Sequence, residues 1–138
     1  IGIDVMVRNY GKLKYLVKND SKIFSIHSNS RFPEVIYIIK KLLKGRSIDF
    51  LFVDGDHSYE GVKADFESYG PLVKDGGLIA FHDIVLDKKS NDGNWAGDVH
   101  RFWQEIKNNY EFTEFVENYE QSGFGIGVII KSFRKQIC

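Results

Sequence analysis

The sequence predicts an α/β fold: a doubly wound, mostly parallel sheet that closes with a C-terminal antiparallel hairpin. Three observations carry this. The runs Ile48 to Val53 and Leu78 to Phe81 are nearly continuous in apolar residues, the pattern of strands buried on both faces. Between them Tyr59, Val62, Phe66 and Tyr69 recur at helical spacing, so strand, helix and strand alternate. At the end, two strand-like segments, Glu111 to Tyr119 and Phe124 to Lys131, flank a Gln121-Ser122-Gly123 turn.

The elements follow in order. Ile1 to Val5 reads as a buried strand, and a basic stretch from Lys12 to Lys18 comes next. A short strand over Ile23 to Ile26 leads into a polar loop, His27 to Ser30. Val35, Ile36, Ile39, Leu42 and Leu43 define a helix, with Gly45 as its left-handed terminator. Ser58 is placed to cap the helix from Tyr59, and Gly70-Pro71 to stop it. Gly76-Gly77 turns the chain into the strand that ends at His82-Asp83. Asp87 to Gly97 reads as a polar loop, after which Val99, Phe102, Trp103 and Ile106 form one helical stripe. Trp95, Phe102 and Trp103 could line a ligand pocket, but an aromatic stripe at helical spacing is more often core, which places Phe102 and Trp103 there and leaves Trp95 open.

Length and charge narrow the function classes. A chain of 138 residues with 43 % hydrophobic composition is expected to form one domain. Nineteen basic residues balance nineteen acidic ones, which gives no electrostatic footprint for nucleic acid. No apolar run approaches the roughly 20 residues of a membrane helix. The single cysteine, Cys138, cannot form an internal disulfide, so a cytoplasmic setting is the expectation.

In an open parallel sheet, ligands bind beyond the carboxyl ends of the strands. Here Asp4, Asn29 with Ser30, Asp54 with Asp56 and His57, and His82 with Asp83 all follow predicted strands. A lone Asp at such a place usually forms a turn or caps a helix, but so many on one rim favour a site.

The segment IDFLFVDGDHSYEGVKADFESYGPLVKDGGLIAFHDI, Ile48 to Ile84, resembles class I S-adenosylmethionine-dependent methyltransferases, whose sheet is Rossmann-like. The likeness is greatest to the branch of metal-dependent O-methyltransferases and cephalosporin-hydroxylase-like proteins. Ile3-Asp4 resembles that family's second strand, Gly97 to Trp103 a helix start common in the branch, and Phe124 to Val128 its last strand. The glycine-rich turn that follows the family's first strand does not occur after Ile1, and Gly123 to Gly127 cannot replace it because no helix follows. The expectation is therefore a single methyltransferase domain lacking its first strand-helix unit. The sheet edge left unpaired invites a second copy, so a homo-oligomer is expected.

The resemblance implies roles. Asp4 holds the cofactor ribose, Asn29 and Ser30 contact adenine although relatives often show Gly-Asp-Ser there, and Asp54 also borders the cofactor. Asp54, His82 and Asp83 are the implied metal ligands, and His57 the general base on the acceptor hydroxyl. The carboxylates suit magnesium, while an imidazole at His82, where relatives often carry an acid, suits manganese, iron or zinc better. The implied reaction is metal-assisted O-methylation of a small molecule. A metal-dependent phosphohydrolase or sugar transferase is the rival, because Phe52-Val53-Asp54-Gly55-Asp56 also delivers two acids from a buried strand. A catalytically degenerate partner subunit is the non-enzymatic alternative.

Overall fold

A computed structural model describes residues 1–6, 22–88 and 95–132. The basic stretch 12–18, the loop positions 89–94 and Cys138 lie outside the described residues. The chain divides into two compact units, 1–45 and 46–138.

In the first unit, β1 (Gly2–Asp4) pairs in parallel with β2 (Ser25–His27), with Asp4 opposite His27. Helix α1 (Pro33–Leu43) opens on Pro33, whose missing N–H costs nothing at a first helical position. Glu34 in its first turn and Lys40 and Lys41 in its last complement the helix dipole. The left-handed ending begins one residue earlier than expected, at Lys44 (φ 52°), whose N–H reaches the Lys40 carbonyl at 3.3 Å; Gly45 (φ 80°) continues it. The expected burial of Ile1 to Val5 is not found: Ile1 is 56 % and Val5 65 % exposed. Among the described residues β1 pairs with β2 alone.

The second unit contains β3 (Ile48–Val53), α2 (Tyr59–Tyr69), a 3-10 turn (Gly70–Leu72) and β4 (Val73–His82). Helix α3 (Val99–Ile106), β5 (Glu111–Phe115) and β6 (Ile126–Ile130) complete it. Strand order is β3-β4-β6-β5, with β3 and β4 parallel and β6 antiparallel to both neighbours. Parallel pairing thus dominates up to β4, and the C-terminal hairpin closes the sheet as expected. Among the described residues, no helix is long and apolar enough to cross a membrane.

Ser58 caps α2 as predicted, its hydroxyl accepting the Gly61 N–H at 3.0 Å. Val62 and Tyr69 bury one face of α2; Val99, Phe102, Trp103 and Ile106 bury one face of α3. Both helices contribute to a core with Val53, Ile79, Phe81 and Ile129. Trp103 is fully buried and lies so close to β6 that a β-carbon on Gly127 would stand 2.6 Å from its ring. Its indole N–H donates to Glu114 at 2.6 Å; Lys107 (2.9 Å) and the Tyr119 hydroxyl (2.7 Å) converge on the same carboxylate. Burial alone would raise the Glu114 pKa, but these three hydrogen bonds outweigh it and hold the carboxyl below its ordinary value.

Three expectations change. β4 begins at Val73 rather than after Gly76-Gly77, and Gly76 (φ 74°) lies inside the strand, where the register with β3 shifts. β3 is not buried on both faces: Val53 is buried, but Phe50 is 55 % and Phe52 44 % exposed. Within this unit α2 packs on β3 and α3 on β4. The hairpin strands are shorter than expected, ending at Phe115 and resuming at Ile126.

Candidate functional site

The two units each end their strands in polar residues. In the first, the Asp4 carboxylate accepts the Met6 N–H at 2.8 Å, and the Asp4 carbonyl accepts the Ser28 N–H at 3.0 Å. Asn29 closes a similar local turn, its side-chain oxygen accepting the Arg31 N–H at 2.9 Å. These bonds fix Asp4 at the carboxyl end of β1 and Asn29, with Ser30 next to it, beyond that of β2. Each predicted cofactor residue of this unit therefore also forms or borders a turn. His27 is exposed, and its Nε2 lies 2.5 Å from the Val5 carbonyl oxygen.

The second unit carries the denser cluster. β3 delivers Asp54, β4 delivers His82 and Asp83, and the turn before α2 delivers His57. Asp83 is buried and holds φ at 62°, a left-handed conformation rare for a non-glycine residue and concentrated at functional sites. One Asp54 oxygen lies 3.4 Å from His57 Nε2 and 3.4 Å from His82 Nδ1. One Asp83 oxygen lies 3.4 Å from His57 Nδ1 and 3.2 Å from His82 Nδ1. Asp54, His57 and Asp83 each present a ligand atom, all within 4.8 Å of one another.

A further contact sets the state of His57. Its Nδ1 is 2.6 Å from the Trp95 carbonyl, which can only accept, so Nδ1 carries a proton; in the neutral ring Nε2 then holds the lone pair. A lone pair and a carboxylate oxygen at 3.4 Å face each other without attraction unless a proton or cation stands between them. His82 Nδ1 is shielded from solvent and makes no hydrogen bond, although two carboxylates face it. Two carboxylates, a lone-pair nitrogen and an unsatisfied buried nitrogen form a donor set that fits a divalent cation.

The predicted residues Asp54, His57, His82 and Asp83 are thus brought together. Asp56 is not part of the cluster: its carboxylate accepts the Ser58 N–H at 3.0 Å and shapes the turn into α2.

Three participants escaped the sequence reading. Trp95 acts through its backbone carbonyl, which no side-chain pattern announces. Gly97 (φ 57°) lies against His57, where a β-carbon would stand 2.2 Å from the His57 carbonyl oxygen; the neighbouring Asp98 N–H donates to that oxygen at 2.8 Å. Phe124 (φ 62°) donates its N–H to Asp83 at 2.9 Å, and its flanking glycines were the available signal.

An α/β sheet with acid and imidazole at its strand ends defines a class of Rossmann-like, ligand-binding domains. A family model described as a methyltransferase domain matches residues 15–84, and the chain belongs to that family, among the class I S-adenosylmethionine-dependent methyltransferases. Protein R132 of Acanthamoeba polyphaga mimivirus is 39 % identical over 106 residues, which is 72 % of this chain and 44 % of that protein. Protein y4gI of Sinorhizobium fredii is 34 % identical over 64 residues, 46 % of this chain and 6 % of that protein. The chain therefore spans less than half of either relative. Among solved structures, MycE methyltransferase in complex with Mg, SAH and mycinamycin VI superposes with a TM-score of 0.57 at 15 % identity, covering 95 % of this chain and 36 % of that one. The O-methyltransferase TomG from Streptomyces achromogenes, in complex with SAM, gives 0.54 at 17 % identity, covering 95 % and 71 %. At these identities the likeness is one of fold.

Proposed function

We propose that this chain belongs to an S-adenosylmethionine-dependent methyltransferase that methylates a hydroxyl oxygen of a small molecule with the help of a divalent cation, magnesium by the carboxylate donors. The observation that carries the reading is the convergence of Asp54, His57 and Asp83 in a methyltransferase-family chain. MycE, of the same fold, is seen with Mg and SAH, which supports extending both to this chain.

In this reading Asp4 binds the cofactor ribose, Asn29 and Ser30 the adenine, and Asp54 borders both cofactor and metal. Asp54, His82 and Asp83 would hold the cation. When bound, the cation lowers the acceptor hydroxyl's pKa and fixes its oxygen. His57 is oriented by the Trp95 carbonyl so that Nε2 receives the hydroxyl proton. As that proton moves, the acceptor oxygen bonds to the methyl carbon, and the sulfur–methyl bond breaks with its electron pair remaining on sulfur. The charges balance: the sulfonium becomes a thioether and His57 an imidazolium. The Phe124 N–H holds the Asp83 carboxylate at its left-handed turn.

The test is transfer of a labelled methyl group from S-adenosylmethionine to a panel of small hydroxyl compounds, with magnesium or with EDTA. Transfer that needs the metal and falls roughly 100-fold or more in His57→Ala is expected. Transfer indifferent to both would overturn the metal and His57 assignments. A protein that binds the cofactor yet methylates nothing would favour the degenerate-partner reading.

A further inference from the structure

Phe124 occupies a position that folding alone would give to glycine. Gly123 (φ 71°), Phe124 (φ 62°) and Gly125 (φ 78°) form three consecutive left-handed residues, and only the middle one has a side chain. A β-carbon is unfavourable in that conformation, and a buried ring could compensate. This ring is 65 % exposed, so the core recovers little.

The backbone around the ring is nonetheless pinned. Phe124 N–H donates to the Asp83 carboxylate at 2.9 Å, its carbonyl accepts the Val85 N–H at 3.1 Å, and the Gly125 carbonyl accepts the Asp83 N–H at 3.0 Å. The backbone from which the ring projects is thereby held beside Asp83. It meets the His82 imidazole edge-on, with centroids 6.3 Å apart and planes at 80°. Phe52, itself partly exposed, meets the same imidazole at 6.4 Å. Strained backbone, rigid anchoring and an exposed aromatic ring beside titratable groups fit ligand recognition rather than packing.

We propose that Phe124 is a specificity-determining platform on which the acceptor stacks, and that the acceptor is a hydroxylated ring with a flat apolar face. An aromatic ring and the C–H face of a sugar ring share that chemistry. The proposal rests on the methyltransferase reading above and adds the acceptor class to it.

The experiment compares wild type, Phe124→Gly and Phe124→Tyr in the full chain with magnesium present. Binding of catechol, methyl β-galactopyranoside and glycerol is measured by calorimetry, with S-adenosylhomocysteine as the cofactor probe. Phe124→Gly should leave the melting temperature unchanged or raised, because the left-handed strain is removed. The same variant should weaken the favoured ring ligand about tenfold. Phe124→Tyr should restore ring binding, and glycerol should not distinguish the variants. Which of catechol and the galactoside responds identifies the source of the ring. Ring binding indifferent to residue 124, in a protein that binds S-adenosylhomocysteine, overturns this proposal alone. A clear loss of stability in Phe124→Gly with unchanged ring affinity overturns it too, by showing that the ring packs. Failure of wild type to bind S-adenosylhomocysteine overturns the functional reading and this proposal with it.

Discussion

Replacing Gly97 by alanine tests how the turn before α3 supports His57, and the structure supplies its own control. Gly97 (φ 57°) and Gly76 (φ 74°) are both left-handed, so an added β-carbon should cost about 1 kcal/mol at either place. At Gly76 the new methyl meets nothing within 4 Å. At Gly97 it would stand 2.2 Å from the His57 carbonyl oxygen, where ordinary contact begins near 3.4 Å. The turn must therefore open by about 1 Å, beyond the range of the 2.6 Å His57–Trp95 bond and the 2.8 Å Asp98–His57 bond. Two hydrogen bonds at about 1 kcal/mol each bring the expected cost of Gly97→Ala to about 3 kcal/mol, against about 1 kcal/mol for Gly76→Ala. Urea denaturation of the two variants beside wild type measures the difference. A displacement of that size at a proton acceptor should also lower methyl transfer about 100-fold. Equal destabilisation by the two substitutions would refute the close packing of Gly97 on His57.

Other outcomes follow from the same contacts. Trp103→Phe removes the N–H that Glu114 accepts and should cost about 2 kcal/mol; combined with Glu114→Gln it should cost less than the two singly, as a double-mutant cycle in denaturant would show. The Glu114 carboxyl is held below its ordinary 4.5, so the unfolded chain takes up its proton first on acidification. Its stabilisation is complete above about pH 4.5 and disappears as pH falls through the lower folded value; acid titrations should show that loss in wild type and not in Glu114→Gln. Asp83→Asn can keep the left-handed turn and accept the Phe124 N–H, so its melting temperature should shift little. Manganese affinity, followed by electron paramagnetic resonance, should nonetheless fall at least tenfold in that variant. Unchanged affinity would remove Asp83 from the cation site.

Local chemistry was legible in the sequence. The Ser58 cap, the stop at Gly70-Pro71, the core stripe of α3 and the acids after β3 and β4 all depend on residues close in the chain. What could not be read depends on distant partners. The apolar character of Phe50 and Phe52 is real, but whether a strand face is covered is decided by other segments. The Asp56 carboxylate was as good a ligand as Asp54 on residue type, and only the fold directs it into the turn. Trp95 orients His57 through a carbonyl that every residue possesses. Phe124-Gly125 read as the start of a strand after the Gln121-Ser122-Gly123 turn, because composition does not announce the left-handed φ values that present the ring.

The most direct test of the central claim is a calorimetric titration of this chain with S-adenosylhomocysteine, with and without magnesium, beside Asp4→Ala. Binding in the micromolar range is expected, and Asp4→Ala should abolish it. An otherwise folded chain that binds no S-adenosylhomocysteine, or binds it equally without the Asp4 carboxylate, would contradict the claim.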